Sequence, residues 1–141
     1  MEQQRPVSTY QPSLSHDGPE VFVQDGHRAF FDVRDLGIDT ATNGDYGMKL
    51  VHARDREQMT TGWHYHTCEL QVVVCLRGWE DLALEDGRLV RIVPGSCLNI
   101  PPGFAHNEIG YSDDFEVMVI TKPAKIGTTS IERPPNAPDG T

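Results

Sequence analysis

The chain has 141 residues and a formal net charge of −9, with 12 lysines and arginines against 21 aspartates and glutamates. That length suits one domain with a buried core, and the acidic balance argues against nucleic acid or an anionic membrane surface as partner, since both call for basic patches. No run approaches the ~20 apolar residues of a membrane-spanning helix, and Met1 to Arg5 lacks the basic start and apolar stretch of a signal peptide, so a cytoplasmic protein is expected.

Residues 1–20 are rich in Gln, Ser and Pro, with Pro6, Pro12 and Pro19 interrupting any regular element. They predict an arm, flexible or draped over a partner subunit. Val21 to Val23 could add an edge strand, and Ala29 to Arg34 reads as the first firm strand, ended by Asp35 and Gly37. Asn43-Gly44 is a turn signal, Tyr46 to Arg54 a further strand, and Asp55 to Thr61 a polar connection.

From Leu70 to Leu76 the run Leu-Gln-Val-Val-Val-Cys-Leu is β-branched and nearly continuous, as a central strand would be. Gly78 ends it. Trp79 to Leu84, the turn Glu85-Asp86-Gly87 and Arg88 to Val93 form a hairpin. Pro94-Gly95 turns into a short strand, Cys97 to Ile100, and Pro101-Pro102-Gly103 makes a rigid corner. His106 to Gly110 and Phe115 to Thr121 are the last strands of the body, and the proline-rich tail from Lys122 is expected to be extended or partly disordered. No useful length shows a helical apolar period. The pattern is that of an all-β barrel or sandwich, with an arm over 1–20, a barrel over 21–123 and a tail over 124–141.

The chemistry concentrates in Gly62-Trp63-His64-Tyr65-His66. Side chains on a strand alternate faces, so His64 and His66 point the same way and their imidazoles can converge on one ion, while Trp63 and Tyr65 face away and serve as packing. His106 supplies a third imidazole from a second segment. His52 could reach the cavity but reads as structural, and Glu69 reads as a solvated rim charge. Cys68, Cys75 and Cys97 are odd in number and lack CxxC spacing, so free thiols are expected, with Cys75 a small buried apolar group.

Gly62-x-His64-x-His66-x4-Gln71-x6-Gly78 resembles the first motif of the cupin superfamily, and Gly95-x5-Pro101-x-Gly103-x2-His106 resembles the second. The resemblance covers roughly residues 28–121. It implies a double-stranded β-helix (jelly-roll) barrel with the site inside, and commonly a homodimer. It also implies one divalent transition metal held by His64, His66 and His106. Fe(II) or Mn(II) is favoured by the resemblance, and Zn(II) or Ni(II) is compatible with a purified sample. Gln71 stands where the family usually has glutamate, and Gly110 replaces the asparagine that often ends the second motif. Gln71 is therefore either a metal ligand or a residue that hydrogen-bonds ligand or substrate without touching the metal. With a neutral amide there, no protein charge would compensate the dication, which would make it a stronger Lewis acid.

If Gln71 points inward, so do Val73 and Cys75, giving an apolar pocket floor. On the last strand either Phe115, Val117 and Val119 or Glu116, Met118 and Ile120 face in. Phe104 is placed to shape the pocket mouth. The near-absence of lysine and arginine from the inward positions considered suits a small organic substrate with an oxygen pair. The leading expectation is a metal-dependent enzyme, most concretely a dioxygenase-type oxidoreductase like the three-histidine dioxygenases among the cupins, with Gln71 orienting substrate. The alternatives are an isomerase or lyase using the metal as Lewis acid, and a non-enzymatic small-ligand-binding cupin.

Overall fold

The computed structural model describes residues 4–16, 22–24, 31–54 and 60–141. The expected all-β barrel is present as two antiparallel sheets facing each other. The first runs in the order β1 (Val23–Gln24), β2 (Phe31–Asp35), β3 (Gly47–Ala53), β10 (Glu116–Lys122), β5 (Leu70–Arg77) and β8 (Cys97–Asn99). The second runs β11 (Gly127–Ser130), β4 (His64–Thr67), β9 (His106–Tyr111), β6 (Glu80–Leu84) and β7 (Leu89–Ile92). The expected starts of the first two strands, Val21 and Ala29-Phe30, and residues 55–59 of the polar connection lie outside the described residues.

Strand parity builds the interior. On β5 the buried positions are Gln71, Val73 and Cys75, and their partners in register on β10 are Thr121, Val119 and Val117. The two open alternatives for the last strand therefore resolve in favour of Phe115, Val117 and Val119, which join the core with Phe31, Leu82 and Ile92. Burying side chains of this size contributes about 1.5–3 kcal/mol each. All three cysteines are free, and Cys75 lies in that core.

Three features depart from expectation. The tail is neither loose nor unstructured, because β11 pairs antiparallel with β4, matching Thr128 to His66 and Ser130 to His64. Beyond it, Ile131 N–H donates to the Trp63 carbonyl at 3.0 Å, and Arg133 donates to the Ala137 and Pro138 carbonyls. Trp63 packs in a small buried cluster with Ala83, Ala105 and Ala137, in the packing role expected of it. The arm runs along its own barrel: Gln11 N–H donates to Ala41 O at 2.9 Å, and Arg34 donates to Ser15 Oγ at 2.9 Å. Finally, one helical turn, α1 (Ile38–Ala41), interrupts the strands before the Asn43-Gly44 turn, where both residues have positive φ.

Gly78 is a position where the fold has no alternative residue. Its φ is +65°, and a Cβ there would lie 2.1 Å from Ser112 Oγ and 2.9 Å from the Phe115 backbone. Left-handed strain and overpacking act together at this turn, so Gly78→Ala is expected to cost about 2–4 kcal/mol. Urea unfolding of the variant, followed by tryptophan fluorescence, measures that loss as a lowered midpoint.

Candidate metal centre

The three histidines are assembled by two strands of one sheet. His64 and His66 share the inward face of β4, and His64 pairs directly with His106 on β9. Ring centroids lie 4.3 Å apart for His64 and His106, 5.0 Å for His64 and His66, and 5.2 Å for His66 and His106. One ligand atom from each falls within 4.8 Å of the other two. His64 and His106 are buried, at 2% and 0% exposure.

Each ring is turned by a contact at its other nitrogen. His64 Nδ1 lies 2.7 Å from the Gly62 carbonyl, and His106 Nδ1 lies 3.2 Å from the Phe104 carbonyl. Carbonyls only accept, so the proton sits on Nδ1 and the Nε2 lone pair faces the centre. His66 Nδ1 has Thr128 Oγ1 at 3.0 Å, supplied by β11. Burial first, then the neighbouring His106 and His64, hold the His66 pKa down to about 4, against the opposing pull of Glu108. Its ring is thus neutral and available as a ligand at pH 7.

Glu108 is the residue that the sequence reading passed over. Its carboxylate lies 3.6 Å from His64 Nε2 and 3.8 Å from His106 Nε2. Thr61 anchors it, the hydroxyl donating to the carboxylate and accepting from the Glu108 N–H at 3.1 Å. The signal was available: His106-x-Glu108 has the same one-residue spacing on a strand that pairs His64 with His66. With Glu108 at hand, a dication among these histidines would not stand uncompensated by protein charge, contrary to expectation.

Gln71 projects inward from the facing sheet, buried, and among the described residues its Oε1 has no hydrogen-bond partner. His106 Nε2 is likewise buried and, among the described residues, without one. Each such orphan costs about 1–3 kcal/mol. A divalent ion fits this donor set: convergent imidazoles, an adjacent carboxylate and a buried ring nitrogen with no hydrogen-bond partner among the described residues are what such an ion would satisfy. Glu69 is exposed on the rim, as expected. His52 is structural, with Nε2 3.3 Å from Asp32 Oδ2 and its ring stacked on Phe22.

Beside His66 opens a cleft of about 760 Å³. Its walls differ from the expected apolar pocket. Val73 and Cys75 are core residues and do not line it, whereas Lys49, Lys125, Asp35 and Asp39 do, with Thr128 and Val119. The expected scarcity of lysine is thereby corrected: β3 alternation puts Lys49 on the face of Gly47 and Val51, next to Val119 in register. Phe104 belongs to a separate hollow of about 260 Å³ with Leu98 and Val90.

Behind the histidines, Glu80 lies on β6 at 5% exposure, on the inward face with Leu82 and Leu84. Burial pushes its carboxyl well above the ordinary carboxylate value of 4.5, helped by Glu108 and Asp81.

No protein-family model matches the sequence, and no curated protein matches it. Solved structures do match. KdgF from Halomonas sp. is 19% identical with a TM-score of 0.66, over 82% of this chain and 96% of that one. The polyketide cyclase RemF from Streptomyces resistomycificus is 20% identical with a TM-score of 0.56, over 96% and 91%. The oxalate decarboxylase OxdC of Bacillus subtilis, a protein with Mn(II) centres, is 14% identical with a TM-score of 0.55, over 72% of this chain and 27% of that one. At these identities the likeness is one of fold alone, and it bears out the jelly-roll barrel expected from the sequence.

Two outcomes are expected. Thr128→Val removes the contact that turns His66 and should weaken metal binding about 10-fold, the lower end of the 10–100-fold range for such supporting residues; His106→Ala should abolish it. Competition with a chromophoric chelator reads both. For Glu80, the unfolded chain ionises as pH rises past 4.5 while the folded chain keeps its proton, so stability falls with rising pH. Glu80→Gln should flatten that fall, leaving stability unchanged at pH 4 and raised above neutrality, as thermal melts across pH would register.

Proposed function

We propose that the chain is a metal-dependent cupin enzyme acting on a small organic molecule, with one divalent ion held by His64, His66 and His106. Glu108 and Gln71 are the two candidates for a fourth donor. The observation that carries this reading is the locking of the histidine rings. Two backbone carbonyls and Thr128 hold the Nδ1 atoms, and the rings turn inward beside a cleft large enough for a substrate. A mixed imidazole and carboxylate set suits Fe(II) or Mn(II), and zinc or nickel would also bind it in a purified sample.

Bound there, such an ion supplies Lewis acidity and, as iron, access to O2 chemistry. The chain's own residues do the rest. His66, at the cleft edge, marks where substrate oxygens meet the centre. Glu108, steadied by Thr61, is placed to take a proton from a ligand that reaches His64 and His106. The Gln71 amide oxygen can accept from a substrate hydroxyl. The most concrete form is a dioxygenase-type oxidoreductase cleaving an enolate or diketonate-like substrate. The second form, a lyase or isomerase, is favoured by Glu108, since a carboxylate base beside a Lewis acid requires no O2. RemF and OxdC are named for chemistry on a polyketide and on oxalate, which supports an oxygen-rich substrate.

The test is turnover of a panel of 1,3-diketones and keto acids with and without O2, on protein loaded separately with iron and manganese. Consumption that requires both metal and O2 supports the dioxygenase, and metal-dependent consumption without O2 supports the Lewis-acid reading. His106→Ala should lower either by at least about 100-fold. Full turnover by metal-free protein would overturn the proposal, and saturable binding with no turnover of any compound would favour a ligand-binding protein.

A further inference from the structure

The cleft beside His66 is walled on one hand by His66 and Thr128 and on the other by Lys49 from β3 and Lys125 from the segment before β11. Lys49 is exposed, yet it lines the cleft. Its neighbours on the same strand face, Val51 and Ala53, pack against the core, so alternation puts Lys49 at the exposed end of that face, with Val119 beside it in register. A lysine can occupy that position when its methylene stem lies along apolar surface and its ammonium reaches an aqueous space.

Among the described residues, neither Lys49 nor Lys125 forms an ion pair. Asp35 faces Lys49 across the strand pair, but its Oδ1 accepts from Gly37 N–H at 2.7 Å. Two ammonium groups therefore look onto one cleft without a carboxylate bonded to either. The two aspartates of the same walls nearly balance the field, so an anion would be held there by contact rather than drawn in from a distance.

We infer that the cleft takes a small organic acid with oxygen functions at both ends, one end meeting the histidine-held ion and a carboxylate at the other end held by Lys49 and Lys125. This rests on the metal reading above and adds the class of substrate to it. The neutral middle of such a molecule lies against Val119 and Ile126. A volume of about 760 Å³ is within the usual range for small-molecule sites, roughly 300–1,000 Å³. A monoacid of the same length leaves the lysine end without a partner.

The probe pair is glutarate and valerate, a dicarboxylate and a monocarboxylate of equal chain length, titrated calorimetrically into metal-loaded protein. Glutarate should bind at least about 10-fold tighter, which corresponds to about 1.4 kcal/mol. Lys49→Met should remove that preference, Lys49→Arg should keep it, and Lys125→Met should reduce it. Metal content measured on the same samples must stay at the wild-type level, which separates a lost anion contact from a lost ion. Equal binding of the two acids by metal-replete wild type, or a preference that survives in Lys49→Met, overturns this inference and leaves the metal reading standing. Wild type that holds no metal overturns the metal reading, and with it the arrangement of two anchored ends.

Discussion

The pairing of His64 with His106 across β4 and β9 is the contact on which the candidate site depends. Two strands far apart in sequence meet at one register position, and three further placements follow from it. His66 comes to the same face two residues along one strand, and Glu108 two residues along the other. Leu84 pairs with His106 from the far side, closing the centre against the core. A slip of one residue in this pairing would put His64 and His66 on the opposite face from His106 and Glu108.

Around that contact the backbone does more of the orienting than the side chains do. The carbonyls of Gly62 and Phe104 set the ring direction of the two buried histidines, and both lie two residues before the histidine they hold. Gly62 has φ +80°, so the residue that presents one of these carbonyls sits in a conformation glycine tolerates best. His66, more exposed, has no such local device and borrows Thr128 from the tail. Ring orientation thus has two sources, one internal to the histidine motif and one from a strand sixty-two residues away.

Much of this was legible in the sequence because it is periodic. Strand alternation located the core faces of β5 and the shared direction of His64 and His66, and Gly and Pro punctuation located the turns. Glu108 was legible by the same rule and was missed because attention rested on the position of Gln71. Lys49 was missed for a different reason: a lysine on a strand reads as solvent-facing, and it is exposed, but the cleft it borders is also the one beside His66. The strand Gly127–Ser130 had no local signal, being polar, exposed and set among prolines; its structure comes from β4. The single turn of α1 is too short for any periodicity to reveal it.

The borrowed strand also bears on how the molecule forms. His66 finds Thr128 only when β11 has come back to β4, and β3 pairs with β10 across a comparable separation. Contacts of this reach make folding slow, because the loop must close before any of it is rewarded. The donor set therefore matures late, after both sheets are in place, and an ion captured by it would act as a clasp on the finished barrel rather than as a nucleus for its assembly. Metal supply during synthesis would then govern how long the folded molecule lasts, by mass action on the native state, while leaving the rate at which it first folds unchanged.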